Sequence, residues 1–294
     1  MTRPLCRTFR VHRRCKALPE LPEVELVARS LSSIVAGRRI DTAELLRARL
    51  APDTKPAKFA SSLADSTINF VGRRGKHLLL DLDNGRTLIT HLRMSGKFIL
   101  LDVNDDDPKF THAVLYFDDG QRLVFQDQRH FGLMKIVETR RLHEAKELSK
   151  LAPEPLGDEF SVDYLRRTLR GSKRSLKEVL LDQTKVCGLG NIYASEAMHL
   201  ARTNPTLQAC KLSAPKTARL FDAIRKVLSD AVEVGSALPI TPKDIGGSIY
   251  GNDSDWEWRV YDRESMPCSE CERPIRRIVQ CGRSTYFCAT CQRK

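Results

Sequence analysis

One stretch decides the class of fold: His77-Leu-Leu-Leu-Asp-Leu-Asp-Asn-Gly-Arg-Thr-Leu-Ile-Thr90. Two apolar runs in it flank Asn84-Gly85, and Asn-Gly between such runs is among the strongest short-range signals for a β-hairpin. Residues 113–117 and 122–125 flank an Asp-Gly pair in the same way. The region from about residue 39 to residue 137 is therefore predicted to be rich in strands.

The segments on both sides of this region have a different periodicity. Residues 19–37 predict a short extended start and then a helix, because apolar residues repeat at helical spacing up to Gly37. Beyond Pro153-Glu-Pro155 helices are predicted again, and from about Trp256 the chain is strand-like. The predicted helices cover residues 164–169, 175–183, 192–200 and 216–234. The fold class is therefore α+β.

The composition limits the classes of protein and of binding partner that fit this chain. The chain has 294 residues, with 49 Lys and Arg against 37 Asp and Glu, for a net charge of +12. This length suffices for about two domains, and the apolar runs are too short for a membrane span. A basic protein of this kind most often binds a polyanion, and nucleic acid is the first choice, with a merely basic solvated surface as the alternative. Residues 1–18 hold six basic residues and no acid, so half of the net charge lies there.

Five of the nine cysteines lie in the last 27 residues. Four of them have the spacing Cys268-x2-Cys271-x16-Cys288-x2-Cys291, which is typical of a four-thiolate zinc site. Disulfides are the less favoured alternative because residues 1–18 lack the apolar core of a secretory signal. We expect one structural Zn²⁺ and expect Cys281 to be an ordinary thiol.

A series of short motifs covers residues 19–294 almost completely. They are Pro-Glu-Leu-Pro-Glu-Val-Glu (19–25), Gly-Lys (75–76), His-Leu-Arg-Met-Ser-Gly (91–96), Asp-Gln-Arg-His-Phe-Gly (127–132), Pro-Glu-Pro-Leu (153–156), Leu-Asp-Gln (181–183), Gly-Leu-Gly-Asn-Ile-Tyr-Ala-Ser-Glu (188–196) and Gly-Arg-Ser-Thr (282–285). In this order they resemble the formamidopyrimidine-DNA glycosylases, which excise oxidised purines such as 8-oxoguanine. Any one motif could arise by chance, whereas the ordered set is specific.

The resemblance implies an architecture. Residues 19–145 would form a catalytic domain with an N-terminal helix and a two-layered β-sandwich. Residues 146–255 would form a helix-two-turn-helix DNA-binding domain, and residues 256–294 a β-hairpin zinc finger. Residues 1–18 would be a leader that is absent from the active protein.

The resemblance also implies four catalytic residues. Pro19 would be the nucleophile, whose α-amine displaces the base and leaves a Schiff base. Glu20 would be the general acid that protonates the sugar ring oxygen. Lys76 would donate a proton during β-elimination, and Arg283 would assist δ-elimination. Taken alone, Pro19 and Glu20 are also compatible with an ordinary helix start, and Lys76 with a solvated basic run.

A further set of residues is expected to bind DNA. By resemblance, Met94, Arg129 and Phe131 would fill the gap left by the flipped nucleotide, with Arg129 facing the partner base. Asn191 would hold a phosphate at a helix N-terminus. Lys173 matches another DNA-contacting lysine, and a plain surface lysine is an equal alternative. For Met94 and Phe131 the alternative is core packing.

Three features depart from the family pattern. Phe110 stands where many relatives carry a DNA-contacting histidine, and His112 is the candidate to replace it. Residues 246–258 differ from the loop that caps a flipped 8-oxoguanine in the usual enzymes. Pro19 follows Leu18, and an internal proline has an amide nitrogen that cannot form a Schiff base. We expect translation to start at position 18 with removal of the initiator Met; cleavage of an Arg-rich targeting peptide is the alternative.

The expected function is that of a bifunctional DNA glycosylase and apurinic/apyrimidinic lyase of base excision repair. It would act on double-stranded DNA with damaged bases, as a monomer in the bacterial cytoplasm, with zinc as its one cofactor and no membrane partner. Organelle targeting by residues 1–18 is an alternative. Two rival functions stay open: an endonuclease VIII-like enzyme for oxidised pyrimidines, and a non-catalytic DNA-binding zinc protein if the leader is retained. The Pro-Glu-Leu-Pro-Glu-Val start favours the purine branch.

Overall fold

The first described element is a helix that begins directly after Pro19 and Glu20, two of the predicted catalytic residues. The computed structural model describes residues 19–236 and 258–293. Helix α1 (Leu21–Val35) has a proline in its first turn, which fits because the first helical N–H groups have no intrahelical partner. Val24, Val27 and Leu31 are buried on one face of α1 and pack into the core of the β domain. The helix ends at Val35, with Ala36 as its C-cap before Gly37, which has φ +82°.

Eight antiparallel strands form the β domain. They are β1 (Arg39–Leu45), β2 (Ser66–Arg74), β3 (His77–Leu82), β4 (Arg86–His91), β5 (Gly96–Asp102), β6 (Thr111–Phe117), β7 (Gln121–Asp127) and β8 (Leu133–Glu138). Their order is β5-β7-β6-β1-β2-β3-β4-β8. Only Arg39 and Ile40 pair across the junction of β1 and β2, so the sheet divides there into two four-stranded layers. The layers share one apolar core, as a β-sandwich requires.

Both predicted hairpins are present, β3 with β4 and β6 with β7. Gly85 and Gly120 lie in their turns with φ +74° and +81°, a conformation that favours glycine. Besides the short 3₁₀ helix Ala48–Leu50, the strand assignment of residues 39–137 missed helix α2 (Pro56–Leu63). It forms because Pro56 suits a first turn and because Phe59 and Leu63, four residues apart, bury their side chains on the same face.

Four helices build the described part of the second domain. They are α3 (Val162–Arg170), α4 (Leu176–Leu181), α5 (Asn191–Leu200) and α6 (Ala214–Ser236). Ser161 accepts a hydrogen bond from the Tyr164 N–H and caps α3, while Ser175 and Glu178 form a capping box at the start of α4. Among the described residues, no helix combines the length and the apolar character needed to cross a lipid bilayer.

The C-terminal segment folds into a hairpin of β9 (Arg276–Gln280) and β10 (Arg283–Phe287). Cys281 and Gly282 form its turn, both with positive φ. A small core lies beneath the hairpin and includes Val260, Ile275 and the four cysteines of the predicted zinc site.

Candidate active site and DNA interface

A cleft of about 420 Å³ lies where the β domain, the helical domain and the C-terminal hairpin meet. The predicted catalytic residues Pro19, Glu20, Lys76 and Arg283 all line it. They are contributed by the start of α1, the turn between β2 and β3, and the start of β10. Four residues from distant parts of the sequence are thus brought together, as the resemblance implies.

Glu20 connects the two domains through hydrogen bonds to the start of α5. Its carboxylate accepts from the backbone N–H groups of Gly190, Ile192 and Tyr193 at 2.6, 2.9 and 3.3 Å. The Glu20 N–H donates to the Glu23 carboxylate at 2.8 Å. The side chain is almost completely buried. The carboxyl group is therefore held in one place by the N-terminus of a helix.

The environment of Glu20 suits an acid that must lose its proton near neutral pH. Burial is the largest effect and raises the pKa of Glu20 to about 7, aided by the charge of Glu23. The charge of Lys76 and the backbone hydrogen bonds act in the opposite direction but do not cancel the effect of burial. A carboxyl group with such a pKa can donate a proton at neutral pH and later accept one.

Lys76 lies beside this carboxyl group. Its ammonium donates to the Leu189 carbonyl at 2.9 Å. Burial lowers the pKa of Lys76, while Glu20 and Glu23 act to raise it and Arg283 lowers it further. Gly75, with φ +58°, allows the tight turn, because a Cβ there would lie 2.7 Å from the Cys187 sulfur. The turn therefore places a lysine amine within the electrostatic reach of Glu20.

The loop before α5 is shaped by close contacts with α1. A Cβ on Gly190 would lie 2.3 Å from the Glu20 carboxyl carbon, and one on Gly188 would lie 2.5 Å from Leu21 Cδ1. The Leu21 N–H donates to the Gly188 carbonyl at 3.1 Å. Gln183 supports the loop from below, since its amide donates to the Leu189 carbonyl and accepts from the Gly188 N–H.

Two neighbouring loops carry the three residues that are predicted to fill the gap left by the flipped nucleotide. We call Met94, Arg129 and Phe131 the wedge residues. Met94 is half-buried in the turn between β4 and β5, whereas Arg129 and Phe131 are exposed between β7 and β8. The Arg129 guanidinium lies 5.5 Å from the centre of the Phe131 ring. Phe131 is 48% exposed, so the core-packing alternative does not describe its position.

The two loops are tied together by Asp127 and Ser95. The Asp127 carboxylate accepts from the N–H groups of Arg129 at 3.2 Å and Gly132 at 2.7 Å, and also from the Ser95 hydroxyl. The Arg129 N–H is shared with the Ser95 oxygen at 2.9 Å. Met94 and Arg129 are therefore held on one rigid frame.

The other predicted DNA-binding residues occupy different settings. Lys173 is exposed between α3 and α4. Asn191 begins α5 and lines the cleft, and its Oδ1 is buried without a hydrogen-bond partner in the described part of the chain. His112 is 3% exposed and contacts His130, so its ring does not face solvent. Residues 246–257 of the predicted capping loop lie outside the described residues.

Lys177 was missed by the sequence reasoning. It is buried on α4, and its ammonium donates to the Ser284 carbonyl and the Thr285 hydroxyl, both at 2.8 Å. Burial lowers the pKa of Lys177 to about 7. These bonds fasten β10 next to Arg283. The helical pattern around Lys177 contains no signal for this contact, because its partners lie more than 100 residues away in the sequence.

The four predicted zinc ligands lie together at the base of the hairpin. Their sulfur atoms are within 4.8 Å of one another, with 4.0 Å between Cys268 and Cys291 and 3.5 Å between Cys271 and Cys288. A tetrahedral site with Zn–S bonds of about 2.3 Å has S–S edges of about 3.8 Å. The donor set therefore fits one Zn²⁺ and leaves no open position for water. Cys281 lies outside this group and donates to Glu178 at 2.9 Å.

Fold and site together define the class: a two-domain DNA-binding enzyme in which a helix-two-turn-helix element and a cysteine-rich finger flank a cleft that holds an acid and a lysine. Three family models match the chain. They are the formamidopyrimidine-DNA glycosylase N-terminal domain (residues 18–134), the formamidopyrimidine-DNA glycosylase H2TH domain (151–240) and the zinc finger found in FPG and IleRS (266–293). The chain belongs to the formamidopyrimidine-DNA glycosylase family.

Relatives and solved structures agree with this assignment. The formamidopyrimidine-DNA glycosylases of Dinoroseobacter shibae and Bacillus licheniformis are 40% and 39% identical, over 94% of this chain and 100% of theirs. The Lactococcus lactis Fpg bound to DNA with an abasic site superimposes with a TM-score of 0.86 at 32% identity, over 94% of this chain and 100% of that chain. The same enzyme bound to DNA with N7-benzyl-Fapy-dG gives a TM-score of 0.85 at 33% identity, with the same coverage.

Proposed function

We propose that this protein is a bifunctional glycosylase and lyase that excises oxidised purines, 8-oxoguanine and formamidopyrimidines, from double-stranded DNA in the bacterial cytoplasm. One observation carries the proposal. Glu20, with a pKa of about 7, is fixed beside Pro19 and Lys76 in a cleft that is also lined by Met94 and by Arg283 of the C-terminal hairpin. The relatives compared above are bacterial proteins named for formamidopyrimidine, which favours this lesion class over oxidised pyrimidines.

The chemistry follows from the positions of these groups. The Pro19 nitrogen attacks C1′ of the damaged nucleotide, and the bond to the base breaks with its electron pair going to the base. The departing base takes up the proton that the Pro19 nitrogen releases. Glu20 protonates the sugar ring oxygen, the ring opens and an iminium ion remains on Pro19. The iminium acidifies the C2′ proton, so the 3′ and then the 5′ phosphate leave, with Lys76 and Arg283 as the proton donor and the assisting cation.

The remaining residues hold the DNA. Arg129 faces the base that has lost its partner, while Met94 and Phe131 fill the space in the stack. The Glu20 carboxylate occupies the N–H groups of Gly190, Ile192 and Tyr193 at the start of α5. The side-chain amide of Asn191 therefore binds the phosphate, and Lys173 contributes a further phosphate contact. Cys268, Cys271, Cys288 and Cys291 would hold Zn²⁺, which supplies structural cross-linking of the finger and no reacting group.

The proposed nucleophile requires a free α-amine, so we propose that the active form begins at Pro19. The full lengths of the relatives match 94% of this chain, and the N-terminal family model begins at residue 18. Mass spectrometry of the intact protein from its native cell checks this. A mass that retains all 294 residues would refute it.

Borohydride trapping tests the function itself. The chain beginning at Pro19 is incubated with duplexes that contain 8-oxoguanine or an oxidised pyrimidine, and the matched control is the chain that retains residues 1–18. We expect a covalent adduct at Pro19 on the 8-oxoguanine duplex from the first chain only. Preferential trapping on the oxidised pyrimidine would support the endonuclease VIII-like alternative. Tight binding by both chains without an adduct would support a non-catalytic binding protein.

A further inference from the structure

Two histidines with nearly parallel ring planes meet at the loop that carries Arg129 and Phe131: His130 in the loop and His112 on the neighbouring strand β6. The His112 and His130 rings are 5.0 Å apart with an angle of 9° between their planes. His130 Nδ1 and His112 Nε2 are 2.9 Å apart, a hydrogen-bond distance. His112 belongs to β6, and its carbonyl accepts from the N–H groups of Leu46 and Arg47, so its backbone is fixed. A loop residue is thus bonded to a rigid strand.

The backbone at this place adopts a conformation that side chains other than glycine rarely take. His130 has φ +60° and Phe110 has φ +69°. Each such residue costs about 1 kcal/mol or more, and persists when its surroundings enforce it. The enforcing contacts are visible: the Asp127 N–H donates to the Phe110 carbonyl at 3.0 Å, and the Phe110 ring meets the His130 ring edge-on at 5.6 Å. His112 supplies the hydrogen bond beneath.

We propose that His112 is a positioning residue, which through its hydrogen bond to His130 fixes the turn between Arg129 and Phe131 and thereby sets the enzyme's preference for the base opposite the lesion. The proposal rests on the wedge assigned to Arg129 above. His130 lies between the two wedge residues in the sequence, so rotation of its backbone out of the left-handed region would redirect both side chains.

The chemistry of the bond gives it a pH dependence. A hydrogen bond between two imidazoles needs an N–H on one ring and a lone pair on the other. It can therefore form when both rings are neutral or when one is protonated, but not when both are protonated. Burial lowers the pKa of His112, with the charge of Asp127 acting to raise it and those of His130 and Arg47 to lower it. Because its pKa is lowered, the His112 ring is uncharged at neutral pH and the bond to His130 persists. The bond would be lost only if both rings carried an added proton.

The test measures the ratio of 8-oxoguanine excision rates opposite cytosine and opposite adenine between pH 5 and 8. For His112→Phe we expect a ratio about 2- to 10-fold smaller at neutral pH, which corresponds to one lost hydrogen bond, with no further fall in acid. His112→Gln offers both a donor and an acceptor, so it should keep the neutral ratio and lose the decline in acid. The exposed His143→Gln serves as the matched control, with the profile of the unmodified enzyme.

Two further variants keep the outcome decisive. His130→Asn places a residue that tolerates the left-handed region but lacks the imidazole. It should give the ratio expected for His112→Phe, and it replaces that variant if His112→Phe does not fold. Arg129→Ala tests the wedge itself: an unchanged ratio in this variant would count against the wedge. The role of His112 alone would be overturned by two results together: a reduced ratio in Arg129→Ala, and unchanged ratios and pH profiles in folded His112→Phe and His130→Asn.

Discussion

Gly190→Ala is the most direct perturbation of Glu20, the proposed catalytic acid, that leaves every ionisable group in place. Gly190 lies at the N-terminus of α5, and its N–H donates to Glu20 at 2.6 Å. A Cβ at this position would be 2.3 Å from the carboxyl carbon and 2.4 Å from Oε1 of Glu20. Atoms cannot remain this close, so the carboxyl group must leave the N–H groups of the helix.

The size of the effect follows from the bonds that are lost. The two shorter ones, from Gly190 and Ile192 at 2.6 and 2.9 Å, would be disturbed first. Hydrogen bonds to charged groups contribute about 1.5–3 kcal/mol each, so up to about 3–6 kcal/mol of positioning is at stake. Local relaxation recovers part of it. We therefore expect base excision to slow by at least about 100-fold, equivalent to about 2.7 kcal/mol in the activation free energy.

Single-turnover excision of 8-oxoguanine is the assay, with lesion-duplex affinity and thermal unfolding measured in parallel. Gly171→Ala is the matched control, because Gly171 has φ −77° and a Cβ there would have no neighbour closer than 3.8 Å. We expect Gly171→Ala to excise at the normal rate. A Gly190→Ala protein that is folded, binds the duplex and excises at the normal rate would refute the assignment of Glu20 as an acid positioned by α5.

Three further predictions concern the pH dependence and the finger. Because burial raises the pKa of Glu20 to about 7, the carboxyl group is protonated below that pH. Single-turnover excision should therefore decline about tenfold per pH unit above pH 7. A rate that stays constant from pH 7 to 9 would contradict an acid role. Cys268→Ser removes one of four thiolates, so zinc content and lesion-duplex affinity should fall together, and full affinity in zinc-free protein would argue against a structural metal. His199 Nε2 lies 3.4 Å from the Cys268 sulfur. His199→Phe removes this hydrogen bond and should speed zinc transfer to a chelator about tenfold. An unchanged transfer rate would show that the contact does not retain the metal.

Local signals predicted the parts of the fold that depend on local physics. Asn84-Gly85 and Asp119-Gly120 specify their hairpins because a glycine at positive φ is needed within a few residues of both strands. The cysteine spacing predicted the four-sulfur group, since each Cys-x-x-Cys turn presents two sulfur atoms on one side. Helix α2 was missed because its two buried apolar residues, Phe59 and Leu63, lie in a region dominated by strand patterns.

The assembly of the cleft could not be derived from such signals. Glu20 and Gly190 are 170 residues apart, and nothing in either local pattern states that they meet. Their partnership was implied by a family resemblance, and the structure supplies its physical content: a helix N-terminus that holds a carboxylate. The buried Lys177 shows the same limit, because a lysine on a short amphipathic helix is expected at the surface unless its distant partners are known.

Helix α5 connects Glu20, the proposed catalytic acid, to the finger. The helix has ten residues and therefore spans about 15 Å. Its N-terminus holds the Glu20 carboxylate, and His199 near its C-terminus contacts Cys268. Between them the buried Glu196 accepts from the N–H groups of Arg259, Val260 and Tyr261, each at 2.9 Å, and Tyr261 lines the cleft. These contacts join the finger to the helix that holds Glu20, so we expect a displaced finger to displace Glu20 as well. Loss of the metal should then slow base excision in addition to weakening DNA binding.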